Sequence, residues 1–141
     1  MTETKSPLYN ETVFSAFVVA KEVIYCLRHN GNIAAVSVKD GKLIAEHEAR
    51  LDEFSQVELI DVVDGYLYFT DEHNVYRMLL GKPDVEVVLG GSECKFSRPD
   101  SLIVNAIRTK DGDFYIHCVT GHIDDAPNYQ FELFRYKRLN P

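Results

Sequence analysis

The sequence predicts an all-β fold assembled from tandem four-stranded units, and three observations predict it. Val23-Ile24-Tyr25-Cys26, Tyr66-Leu67-Tyr68-Phe69 and Phe114-Tyr115-Ile116-His117 each set a tyrosine inside an apolar run that follows a short turn. Tyr25, Tyr68 and Tyr115 stand 43 and 47 residues apart. Turn dipeptides with asparagine or aspartate before glycine recur between short runs rich in β-branched and aromatic residues. Short strands repeating every ~40–50 residues are the pattern of propeller blades.

Each element follows in order. Residues 1–11 form a polar arm, and residues 12–141 form one domain with blades at about 12–48, 57–89 and 102–139. Residues 13–19 are almost continuously apolar, as in a strand buried on both faces, and Lys21-Glu22 breaks the run. Residues 23–28 are the second strand, Asn30-Gly31 a hairpin turn, residues 33–38 the third strand, Asp40-Gly41 a turn, and residues 43–48 the fourth. The second unit repeats this order at 57–63, 66–70, 75–80 and 85–89, with turns at Asp64-Gly65 and 81–84. The third unit has strands at 102–107, 114–119 and 129–139. Its fourth strand is missing unless the N-terminal segment or another chain supplies it. Residues 12–29 and 43–60 can also be written as helices from their caps and composition, but the repeat alignment favours strands.

The units resemble known propeller repeats. Val23-Ile24-Tyr25, then Gly31 through Ser37, then Asp40-Gly41-Lys42-Leu43-Ile44 is similar to the quinoprotein-type (PQQ-like) repeat, in which a glycine opens the third strand and a Gly-Lys turn leads to the fourth. That family places a tryptophan soon after the turn, near Ala45 here, and this chain has no tryptophan. Leu67-Tyr68-Phe69-Thr70-Asp71 resembles the YWTD repeat of six-bladed propellers, with Phe69 in the tryptophan position. Each resemblance covers one unit, about a quarter of the chain. It implies the fold alone. No quinone-binding residues match, so no cofactor is expected.

Propellers close with about four to eight blades, and this chain supplies just under three. Unclosed blades expose apolar flanks and unpaired backbone. The partial propeller is therefore expected to be completed by self-association, for which a dimer gives six blades, or by a partner chain.

Composition narrows the partners. A net charge of −7 argues against nucleic acid and against anionic membranes. Arg135, Lys137 and Arg138 read as a solvated edge strand with a charged terminus rather than a phosphate-binding stripe. Cys26, Cys94 and Cys118 are odd in number and lack metal-ligand spacing, which together with the absence of a signal-like leader suggests an intracellular, cytoplasmic protein. No run approaches a membrane span.

In a blade, loops between strands two and three, and loops joining consecutive units, share one face. These are the long ones here: 29–32, 49–56, 71–74, 90–100 and 120–128. Elaborated loops on a rigid scaffold carry function, so the candidate interaction surface is Asp52, Glu53, Phe54, His73, Phe96, Arg98 and Asp124. Phe54 and Phe96 are either binding anchors or caps folded onto the core, with capping favoured. His117, His122, Asp124 and Asp125 form the one cluster with metal or acid–base chemistry, and a solvated acidic loop is the favoured reading, so no metal is expected. Gly90-Gly91 lacks the Lys-Ser/Thr of a phosphate loop, and no nucleophile elbow occurs. The sequence thus points to a non-catalytic interaction scaffold. The alternative is a small-ligand or sugar-binding or hydrolytic propeller with a site at the central channel.

Overall fold

The computed structural model describes residues 14–90, 101–120 and 130–137. These form three antiparallel meanders. The first sheet holds β1 (Phe14–Ala20), β2 (Val23–Arg28), β3 (Ile33–Ser37) and β4 (Leu43–His47) in that order. The second holds β5 (Glu58–Val63), β6 (Tyr66–Thr70), β7 (Val75–Leu79) and β8 (Val85–Leu89). The third holds β9 (Leu102–Arg108), β10 (Phe114–Thr120) and β11 (Gln130–Tyr136). A 3-10 turn at Leu51–Glu53 interrupts the first inter-sheet loop. Neither segment that could have been written as a helix is one among the described residues: the first holds β1 and β2 about a turn, and the second holds β4, the 3-10 turn in a loop, and the start of β5.

The turns explain where the strands stop. Asp64 and Gly65 both take positive φ, 52° and 81°, which gives the twist a two-residue hairpin needs. The β1–β2 and β5–β6 turns are tied down alike. The Val38 amide donates to the Glu22 carbonyl at 3.0 Å, and the Leu80 amide to the Gly65 carbonyl at 2.9 Å.

The sheets stack face to face, and their first strands lie side by side, β1 against β5 and β5 against β9. One core joins the first two sheets and includes Leu27, Ile33, Leu67, Phe69, Tyr76 and Met78. A second joins the second and third sheets and includes Ile60, Val75, Ile103, Phe114, Ile116 and Cys118. Strand alternation makes this possible. In β6, Leu67 and Phe69 point to the first sheet, while Tyr68 packs toward the third. The face of each sheet that looks toward the next sheet in chain order is termed the forward face, and the opposite one the backward face.

Each first strand also shifts register against its neighbour, between Phe14 and Ala16, between Leu59 and Asp61, and in β9 opposite His117 and Cys118. An inserted residue of this kind bends a strand and re-aims side chains. In β5 it lets Ile60 enter the second core while Leu59 and Val62 stay on the first. The three sheets do not close into a ring. No helix among the described residues is long and apolar enough to cross a membrane.

Candidate functional site

The meander order brings the β2–β3, β4–β5 and β6–β7 loops to one end of the stack. The first two are locked together. Gly31 sits at φ 88°, and its carbonyl accepts the Leu51 amide at 2.9 Å. A Cβ at this position would lie 2.3 Å from Asp52 Oδ1 and 2.7 Å from the Asp52 backbone nitrogen, so only glycine fits. Asn32 Oδ1 accepts the Ala49 amide at 3.4 Å. Leu51 is fully buried beneath the 3-10 turn, which leaves Asp52 and Glu53 exposed on its outer side.

Phe54 turns inward. Its ring meets Phe69 edge-on at 5.2 Å and Tyr76 at 5.0 Å, and it joins the first core as a half-buried cap. The favoured sequence expectation for this residue was a cap of this kind.

His73 is exposed at the tip of the β6–β7 turn, which is organised by Asp71. Asp71 Oδ1 accepts the amides of His73 and Asn74, both at 2.8 Å, and Oδ2 accepts the Tyr76 hydroxyl at 2.8 Å. Asn74 Nδ2 donates to the same hydroxyl at 2.9 Å. Buried Thr70 donates its hydroxyl to the carbonyls of Asp71 and Asn74. The Thr-Asp pair singled out in the sequence is therefore the brace of this turn. Burial, then the Asp71 carboxylate, push the Tyr76 phenol above its ordinary range, with the Asn74 bond opposing. The Glu72 carbonyl accepts the Ile103 amide at 2.8 Å and so couples the turn to β9.

Two shallow clefts open at this end. One of about 300 Å³ is lined by Leu27, His29, Asp52, Phe54, Gln56 and Glu58 among others. The other, of about 310 Å³, shares Gln56 and Glu58 and adds Glu72, Ile103 and Val119. Their carboxylates stand on rims open to water, so the clefts offer polar contacts rather than a desolvated acid–base pair.

Of the sequence candidates, Asp52, Glu53, Phe54 and His73 share this end. Phe96, Arg98, His122 and Asp124 lie outside the described residues. His117 is elsewhere, on the forward face of the third sheet with its ring 5.3 Å from that of Phe131. Among the described residues no three His, Cys, Asp or Glu side chains converge as metal ligands would. Cys26 and Cys118 are buried thiols, and burial pushes the Cys26 thiol upward.

A second surface corresponds to the apolar flanks expected of unclosed blades, whose residues the sequence alone does not name. The middle sheet has both faces covered, whereas among the described residues the outward face of each outer sheet is partly exposed, although Cys26, Ala34 and Val36 on that face of the first sheet are buried. The backward face of the first sheet exposes Phe17 (69%) and Val19 (53%). The forward face of the third exposes Ile107 (61%) and Leu133 (68%). Monomers rarely display such apolar sheet faces to water. The signal was present in the repeat tyrosines. Tyr25 packs toward the second sheet and Tyr68 toward the third. Tyr115, flanked by inward Phe114 and Ile116, faces out of the stack. No protein-family model, curated protein or solved structure matches this chain.

Proposed function

We propose that this chain is a non-catalytic interaction subunit, a partial propeller whose three sheets are blades around an incomplete ring. In this reading its two end faces join further blades, from a second copy or from a partner chain. One observation carries it. Apolar side chains are exposed at both ends of the stack, Phe17 and Val19 at one and Ile107 and Leu133 at the other, while the equivalent faces between sheets are buried. The adjacency of the three first strands, each bent by a register shift, supports a blade arrangement about an axis. So do the tyrosine repeat and the resemblance to PQQ-like and YWTD-like units.

Light scattering across the micromolar range tests the proposal. Association into a defined oligomer is expected, and a stable, soluble monomer would overturn self-association. The competing ligand-binding reading predicts that small molecules raise the melting temperature through the clefts around Gln56 and Glu58. The scaffold reading predicts no such rise.

A further inference from the structure

Resting on the self-association just proposed, we infer that the forward face of the third sheet docks on the backward face of the first sheet of a second copy, so that two chains close head to tail into six sheets. The two inter-sheet contacts use the same strand positions, with the repeat tyrosines Tyr25 and Tyr68 on one side of the contact and the residues before the next tyrosines, Leu67 and Phe114, on the other. The first sheet meets the second in this way and the second meets the third. The two faces left over are one of each kind.

The repeat register matches them position by position. Val19, Val62 and Arg108 pair with Ile24, Leu67 and Phe114, the residues just before the three repeat tyrosines. Val62 packs into the core that holds Tyr25, and Arg108 covers Tyr68 with its guanidinium carbon 5.2 Å from the ring centroid. The third member of the series, Val19 of a second copy, then falls over Tyr115. Leu67 and Phe114 are buried in their inter-sheet cores, whereas their counterpart Ile24 is only half-buried in the single chain. Pairing two first sheets or two third sheets would break this register. Closure at six also follows from number, because six is the one multiple of three within the ~4–8 blades that propellers use. The result is a two-fold pair with two identical contacts.

Val19→Glu and Leu133→Lys test the inference by sedimentation velocity, with circular dichroism and melting curves as fold controls. Both residues are more than half exposed, so both variants are expected to fold. Should either fail, Phe17→Glu and Ile107→Lys address the same two faces. The wild-type chain is expected at twice its 16.1 kDa mass. Each variant alone damages both contacts and is expected to weaken the pair about 100-fold or more. An equimolar mixture of the two variants is expected to regain the pair, because one of its two contacts is then unmodified on both sides. A pair that survives either substitution alone, or a mixture that stays monomeric, overturns head-to-tail docking while leaving self-association standing. A monomeric wild-type chain removes the self-association reading, and this inference with it.

Discussion

Arg108 of β9 covers the ring of Tyr68 on the neighbouring sheet, 5.2 Å from the ring centroid, and the same guanidinium lies 3.5 Å from Asp61 beside it. Both charged side chains are largely shielded, at 15% and 25% exposure. With the Ile103 amide bond to the Glu72 carbonyl, this side-chain clamp adds a polar link between the second and third sheets to their apolar core. The register shift in β5 creates it, by turning Asp61 to the same side as Tyr68.

Arg108→Met keeps an apolar stem and deletes the charge. It is expected to cost about 1–2 kcal/mol, the scale of a partly desolvated cation–π contact plus a long ion pair. Urea unfolding of Arg108→Met, Asp61→Asn and the double variant should show coupling of about 0.5–1 kcal/mol. Strict additivity would mean that the two groups do not act together.

Gly31→Ala should be among the most damaging single changes in the loops, at about 2–4 kcal/mol, since it combines a positive φ with a contact no Cβ tolerates. Adding Asp52→Gly removes the carboxylate but not the backbone nitrogen at 2.7 Å. The double variant is therefore expected to recover only a minor part of the loss in thermal or urea melts.

Phe54→Ala is expected to lower stability by about 2 kcal/mol, because it vacates a half-buried site packed on Phe69 and Tyr76. The mass of the assembled species should not change at concentrations where the variant is folded. An altered oligomer with unaltered stability would instead return Phe54 to the role of binding anchor.

Tyr76 gives stability an alkaline limit. Its folded phenol is raised above the ordinary value near 10 by burial first and by Asp71 second. The folded chain thus keeps a proton that the unfolded chain has already released. This contribution is whole below about pH 10 and is lost as pH climbs from there through the raised folded value. Tyr76→Phe should be less stable near neutrality by about 1 kcal/mol, for want of its bonds to Asp71 and Asn74, yet decline less steeply above pH 10. Urea midpoints measured from pH 7 to 11.5 check this, and parallel declines for the two proteins would rule it out.

The sequence by itself determined where the strands run and how they connect. β2, β6 and β8 span the residues that alternation and turn chemistry mark out, and the other strands differ by one to three residues at an end. The reason is local: Asp64-Gly65 sets a hairpin by its own φ angles, and a period of two needs no distant partner. Only the tertiary structure decided which side of each strand meets what. The register shifts in β1, β5 and β9 break the alternation with no mark in residue type, so that Ile60 and Asp61 share a side and Arg108 finds Tyr68. Phe54 folds inward because Phe69 and Tyr76, fifteen and twenty-two residues further on, build the pocket that receives it. Val19 and Leu133 read as ordinary strand hydrophobics. Their exposure is a property of the stack, which has an end on each side, and burial is decided by neighbours that a strand's own sequence does not name.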